Sequence, residues 1–239
     1  MAKRPCIGSI AGDPFLKFLN PSRPRTDLIK AFNEVAIASI ADAVDKVCGK
    51  RGYMSSVIKP RINDKRICGP AATVLESATE EFVPPQHALD LIDEAPRGSV
   101  IVISIEGGQP DVAVWGGLMT AGAVANGHAG AVLDGAVRDL TEIRRDYGFP
   151  VYARDVSPGT TLGRYRTVAS QVPVRVGDVV VNPGDIIVGV VDGVVVVPHE
   201  KAEQVLAMAQ DIDRRELEQA KLIIAEKSLR KGLAKYGRI

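Results

Sequence analysis

No stretch of this chain approaches the roughly 18 consecutive apolar residues that a membrane-spanning helix needs, so a membrane role is excluded. The first residues, MAKRPCIGSIAGDPF, lack the apolar centre of a signal peptide, and a soluble, cytoplasmic protein is expected. Cysteine is scarce. Cys6, Cys48 and Cys68 are odd in number and widely scattered, with no CxxC pair and no His-Cys cluster. That pattern excludes a zinc site and a disulfide framework. Nothing nearby in sequence would lower a thiol pKa, so buried, inert cysteines in a reducing compartment are expected. Excess charge of one sign is also missing. Thirty basic residues against 29 acidic ones leave a net charge of +1, which gives no electrostatic footprint for nucleic acid or an anionic membrane. A small anionic substrate stays open, because one local arginine can bind it.

What is present is ordinary in bulk and specific in pattern. At 239 residues the chain can bury a full core as one domain with an appendage, or as two small domains. Residues 1–25 hold four of the 15 prolines and read as an irregular arm that packs on the domain or on a neighbouring subunit. From Thr26 to Val47 a broad apolar stripe predicts helix, broken into two near Ser39 and stopped by Gly49 and Gly52. Strands are predicted at Ile67–Leu75, Ser99–Ile105, Ala129–Leu133 and from Val151, with helices at Gln86–Glu94, Trp115–Asn126 and Leu140–Tyr147. This alternation of strand and helix at short spacing argues for a layered α/β fold. Beyond Gly159 come valine-rich segments near 172–176, 179–181, 186–191 and 194–197, with Asp192-Gly193 as a hairpin turn. One long charged amphipathic helix is expected from about Glu200 to Lys235.

The chemistry concentrates between Trp115 and Arg145. Gly116-Gly117-Leu118-Met119 opens a small-residue helix, where glycines allow close approach and unpaired N–H groups favour an anion; a tight packing turn explains the same residues. Arg138 and Asp139 follow a buried strand, and ligands in layered α/β folds collect beyond the carboxyl ends of such strands. Arg138 offers a planar fork for a carboxylate, and Asp139 a hard oxygen for Mg²⁺ or Mn²⁺. Equally, Asp139 can simply cap the next helix while Arg138 makes a surface ion pair. His87, His128 and His199 have no partner at metal-ligand spacing; His87 is the best of them as a substrate or proton-transfer residue. Glu106 and Asp111 shortly precede the glycine turn. No serine has a nucleophile-elbow context.

Between about Thr26 and Pro198, GPAATV at 69–74, the helix-opening GGLM, DGAVRDLTEI at 134–143 and VVDGVVVVP at 190–198 resemble one family. It contains the 4-hydroxy-4-methyl-2-oxoglutarate / 4-carboxy-4-hydroxy-2-oxoadipate aldolases and the RraA regulators of ribonuclease E. The aldolases of that family show an acidic residue, twenty intervening residues, Arg-Asp, two residues, then Glu or Asp. Here Arg138-Asp139-Leu140-Thr141-Glu142 matches the second half, while the acidic position falls on Gly117.

The resemblance implies a layered β/β/α swivelling-type domain over 26–198, with residues 199–239 as a C-terminal helical extension. It implies a class II aldolase or oxaloacetate decarboxylase, a lyase acting on a small 2-oxo dicarboxylic acid through a pyruvate enolate. Asp139 would hold Mg²⁺ or Mn²⁺, backbone N–H groups of Gly116, Gly117, Leu118 and Met119 would bind the substrate carboxylate, and Arg138 would polarise the ketone. A homotrimer or homohexamer with sites near subunit boundaries is implied as well. The alternative within the family is a non-catalytic RraA-type protein that binds a ribonuclease.

Overall fold

The computed structural model describes residues 26–237; the expected N-terminal arm and Cys6 lie outside the described residues. Two helices come first, α1 (Thr26–Asn33) and α2 (Ile37–Cys48). The break between them falls at 34–36, earlier than Ser39, because a distant residue caps α2. Asp213, from the C-terminal helix, accepts hydrogen bonds from the Ala36 N–H at 2.9 Å and from the Ser39 hydroxyl. Gly49 then closes α2 in the left-handed conformation, at φ 65°, where a Cβ would be strained.

There follow β1 (Lys59–Pro60), β2 (Ile67–Ala78), α3 (Gln86–Glu94), β3 (Val100–Glu106), β4 (Ala113–Trp115), α4 (Gly117–Ala125) and β5 (Gly130–Val137). A single-turn α5 (Leu140–Glu142) widens into a π-helical turn over Ile143–Tyr147, and Gly148 ends it. The chain continues through β6 (Val151–Val156), β7 (Tyr165–Ser170), β8 (Val174–Val176), β9 (Val179–Val181), β10 (Ile186–Val190) and β11 (Gly193–Val197) to α6 (Ala202–Glu226) and α7 (Leu229–Tyr236). The fold is the expected mixed α/β arrangement with a long C-terminal helix. Its nine-stranded sheet runs β1-β6-β5-β3-β2-β10-β11, with β4 added on β5 and β7 on β2. The central β2, β3, β5 and β6 are parallel to their neighbours in that set. Helices therefore have to cross between them, and both faces are covered.

Side-chain alternation sorts these strands into layers. Ile101, Ile103 and Leu133 meet Leu91, Ile92 and Ala123 of α3 and α4 on one face. The alternate residues Val100, Val102 and Val132 face an inner core shared with Val194, Val196 and the β8–β9 hairpin. The outward residues of β10 and β11, among them Val188 and Val195, are covered by α1, α2 and the first half of α6.

Four sequence expectations change. Trp115 is a strand residue, paired beside Val137, and the helix starts two residues later. The strand from Ile67 runs on to Ala78, so Glu76 is inside it and fully buried. Tyr165–Ser170, given no element from sequence, pairs antiparallel with β2. The long C-terminal helix breaks at Lys227, left-handed at φ 48°, and restarts at Ser228, whose hydroxyl caps the Lys231 N–H. Gly232 lets the second helix fold back, since a Cβ there would lie 2.4 Å from Ile223.

Candidate active site

The end of β5 and the start of α4 meet at one point. Arg138 donates its backbone N–H to the Trp115 carbonyl at 3.0 Å, which ties the residue after β5 to the residue before the glycine pair. The chain then turns at Asp139, held left-handed at φ 58° and ψ 33°. Aspartate tolerates that region better than most residues, yet the conformation costs on the order of 1 kcal/mol. The turn sends the Asp139 side chain back toward α4. Its Oδ2 accepts the Gly117 N–H at 2.9 Å, and Arg138 Nε lies 3.5 Å from the same oxygen. Both side chains remain solvent-accessible, so this ion pair by itself contributes little stability.

Asp139 is thus a helix cap, but of a different helix from the one it precedes. It makes no side-chain bond to α5; it caps α4 instead. The glycines serve this arrangement. A Cβ on Gly116 would lie 2.7 Å from Asp139 Oδ2 and 3.0 Å from Arg138 Nε, and one on Gly117 would lie 2.7 Å from Glu142 Oε1. Neither glycine needs a positive φ; both are required for space.

The first turn of α4 is fixed from below. The buried Trp115 indole donates to Thr120 Oγ1 at 2.8 Å, and that hydroxyl donates to the Gly116 carbonyl at 2.9 Å. Trp115 also stacks on Phe149, with ring centroids 6.1 Å apart. With the Gly117 N–H taken by Asp139, the N–H groups of Leu118 and Met119 have no protein acceptor among the described residues. They form, with the helix dipole, a small anion-receptive patch beside the Arg138 guanidinium.

The other candidates lie apart. His87 starts α3, and both its N–H and its Nδ1 contact Thr167 Oγ1, at 3.2 and 2.9 Å. His128 is buried with Nε2 on the Ile92 carbonyl, and His199 sits by the buried Asp185 at 3.5 Å. Glu106 and Asp111 are exposed and make no hydrogen bond or ion pair with residues 116–119, 138 or 139. Burial pushes the Cys68 thiol up to about 12 and raises Cys48 as well, consistent with unreactive thiols. Sequence reasoning missed Glu76. Both its carboxyl oxygens are buried without a hydrogen-bond partner, and desolvation pushes its pKa up to about 8.

Two cavities elsewhere do not coincide with this site. One of about 550 Å³ lies between Arg51, Tyr53 and Asp192; another of about 890 Å³ opens at the amino ends of β2 and β3, near Pro70 and Ser99. Neither is lined by residues 116–119, 138 or 139. Chemistry favours the Arg138–Asp139 corner over volume, because there a guanidinium and an open carboxylate stand directly beside two helix N–H groups with no protein acceptor among the described residues. For a divalent cation the donors are Asp139 and the adjacent Glu142. Among the described residues no group of three His, Cys, Asp or Glu side chains could hold a metal. That set does not suit a closed zinc site, but it fits Mg²⁺, which keeps several waters and takes one or two carboxylates.

A family model described as RraA-like (Aldolase/RraA) matches residues 37–196. The chain belongs to the RraA-like family. A relative from Halalkalibacterium halodurans, provisionally named a 4-hydroxy-4-methyl-2-oxoglutarate aldolase, is 33% identical over 79% of this chain and 85% of its own length. Protein DlpA of Legionella pneumophila is 38% identical over 71% of the chain, which spans only 27% of that larger protein. Among solved structures, a protein from Pseudomonas syringae pv. tomato superposes with a TM-score of 0.78 at 29% identity, covering 90% of this chain and 96% of that one. RraAS2 of Streptomyces coelicolor, described as an unusual member of the RNase ES inhibitor RraA family, gives 0.77 at 27% identity, over 84% of this chain and 100% of that one. Among the described residues no helix of this RraA-like chain is long and apolar enough to cross a membrane.

Proposed function

We propose that this RraA-like protein is a divalent-metal-dependent carbon–carbon lyase acting on a small 2-oxo dicarboxylic acid. The substrate is of the 4-hydroxy-4-methyl-2-oxoglutarate type, or oxaloacetate. The observation that carries the reading is the convergence of Arg138, Asp139 and the free N–H groups of Leu118 and Met119 at the start of α4. The first carboxylate of the substrate sits on those two N–H groups. Arg138 lies against the C2 ketone oxygen, where its guanidinium neutralises negative charge as it develops, the kind of fixed electrostatic contribution that usually dominates catalysis. Asp139, together with Glu142 through water, would hold Mg²⁺ or Mn²⁺. The ion, when bound, supplies a second positive charge to the substrate carboxylate and ketone.

In aldol cleavage the C4 hydroxyl loses its proton, the C3–C4 bond breaks, and its electron pair moves toward the C2 ketone. A proton then returns to C3 and two pyruvates leave. In oxaloacetate decarboxylation the bond to the departing carboxylate breaks and the same enolate charge arises, so Arg138 does the same work in both. The cytoplasm and a homotrimer or homohexamer with sites near subunit boundaries belong to the same proposal. The second reading, a non-catalytic ribonuclease-binding protein, is favoured by the likeness to RraAS2 and by Gly117.

Pyruvate release from each of the two substrates, with Mg²⁺ and with EDTA, tests the first reading. Metal-dependent release that disappears in Arg138→Ala and in Asp139→Ala is expected. No metal-dependent pyruvate from either substrate rejects it.

A further inference from the structure

We propose that residues 107–111 form a strap that stays closed over Glu76 while the Glu76 carboxyl is protonated and opens when it ionises. The device lies outside the Arg138–Asp139 corner, and its operation does not depend on the lyase reading.

Strand alternation places the carboxyl. Ala72, Val74, Glu76 and Ala78 share the face of β2 that looks toward α3 and α4. On that face Glu76 lies beside Ile105 of β3 and Thr167 of β7. It is fully buried, and neither carboxyl oxygen has a hydrogen-bond partner. Nearly every buried polar group in a folded protein is paired, so an acid left in this state needs a route to water once it ionises.

Beyond Ala78 the cover is Tyr165 and the loop that follows β3. A Cβ built on Gly107 would stand 3.6 Å from the Ala78 Cβ. Residues 107–111 are exposed, and among the described residues the hydrogen bonds that tie them down come from one hydroxyl. Tyr165 Oη stands 2.8 Å from the Gly107 carbonyl and 2.9 Å from the Gln109 carbonyl, with one proton to share between them. Gly107 and Gly108 are both left-handed, at φ 70° and 63°, and a Cβ on Gly108 would lie 2.5 Å from Tyr165 Oη. Glycine at 108 is thus required by the closed strap and free to leave it. The far end is fixed, because the Val112 carbonyl accepts the Ala136 N–H and the Ala113 N–H donates to the Gly159 carbonyl.

Few polar groups face Glu76. From β7 comes the Tyr165 phenol, from α3 the His87 imidazole held on Thr167, and from the strap Asp111. Ile105 of β3 and Met119 of α4 are apolar, while Glu106 and Arg166 alternate to the opposite face of the sheet. Burial, then the Glu76 and Asp111 carboxylates, holds the Tyr165 hydroxyl above its ordinary value, so both acids lie around the group that closes the strap. Burial alone pushes Glu76 up to about 8. Once ionised it has water as its available partner. Opening the strap breaks the bonds of one hydroxyl, whereas parting β2 from β3 or β7 breaks a strand ladder. The sign follows from the two states. An open, hydrated Glu76 titrates near its ordinary 4.5 and a closed one near 8, so opening is least favoured below 4.5. It rises about tenfold for each pH unit up to about 8.

Hydroxyl-radical footprinting of the full chain at about pH 6 and about pH 9, read residue by residue in a mass spectrometer, tests the strap. Tyr165 is 1% exposed when the strap is closed, and its oxidation is expected to rise roughly fivefold or more at the higher pH. Tyr152 and Trp115, just as buried, are expected to stay protected. Glu76→Gln cannot ionise and is expected to keep Tyr165 protected at both pH values. Gly108→Ala, whose Cβ enters the space of the Tyr165 hydroxyl, is expected to expose Tyr165 already at the lower pH, and it carries the test if Glu76→Gln does not fold. Protection of Tyr165 at the higher pH in the parent overturns the proposal. A joint rise at Tyr165, Tyr152 and Trp115 overturns it too, since the whole domain then loosens. A parent-like rise in Glu76→Gln removes Glu76 as the trigger, and Tyr165 protected at the lower pH in Gly108→Ala removes the strap.

Discussion

Two carboxylates near the carboxyl ends of parallel strands on either side of β3 have opposite surroundings. Asp139, just past β5, is open to solvent, bonded to a helix N–H and beside a guanidinium. Glu76, near the end of β2, is sealed between β3 and β7 with neither oxygen partnered. The first accepts a hydrogen bond and stands beside a cation; the second is kept protonated through neutral pH by desolvation, with a pKa pushed up to about 8. Position at the end of a strand is therefore not what keeps a carboxylate open to a ligand. The helix start, and the two glycines that let the side chains reach it, make the difference.

The comparison breaks most visibly at Asp139. Asp139→Asn retains an oxygen that can accept the Gly117 N–H, so α4 stays capped and thermal stability should move by no more than about 0.5 kcal/mol. The negative charge is gone, and metal-dependent pyruvate release should fall on the order of 10²–10³-fold, as when one preorganised electrostatic group is removed from an active site. A large drop in melting temperature with activity retained would mean that Asp139 serves structure alone.

Glu76 gives the second effect. Its folded pKa of about 8 stands above the ordinary carboxyl value of 4.5, so between those values the native state binds more protons than the unfolded chain. Stability is then greatest below pH 4.5 as far as this group is concerned, and is lost as pH rises toward 8. Each pH unit inside the window removes up to about 1.4 kcal/mol, so from pH 6 to 7.5 the loss approaches about 2 kcal/mol. Glu76→Gln cannot ionise and should flatten that slope in denaturant titrations at the two pH values. Equal slopes for parent and variant would place the Glu76 pKa outside this window.

How far the sequence foretold these two sites follows from the range of the forces involved. The β-branched run at 99–105 and the Asp192-Gly193 turn are local signals, and β3 and the β10–β11 hairpin stand where those signals put them. Arg138 and Asp139 do follow directly on an apolar strand. Trp115 carries a helical pattern in sequence because the small residues after it do; its strand pairing depends on β5, twenty-two residues away. Nothing local marks Glu76 as buried, because β7, which covers it, carries no clear alternation of its own in YRTVAS. The link from Gly117 to Glu142 was hidden for a similar reason. It needs the left-handed turn at Asp139, and nothing in DGAVRDLTEI announces a positive φ at a non-glycine residue.

The smallest predicted effect tests whether the helix start is rigid enough to make this distinction matter. Thr120 lies under the glycine pair, taking the Trp115 N–H and giving its proton to the Gly116 carbonyl. Thr120→Val preserves shape and removes both bonds, which leaves a buried indole N–H without an acceptor. That costs about 1 to 2 kcal/mol, readable as a shifted denaturant midpoint at unchanged slope. The first turn of α4 should loosen at the same time, so Mn²⁺ affinity should decline by a few-fold while Glu76, on another strand, keeps its pH slope. If the midpoint shifts but Mn²⁺ binding does not, the carboxylates are held by β5 and its turn alone, and the helix contributes its dipole without contributing their alignment.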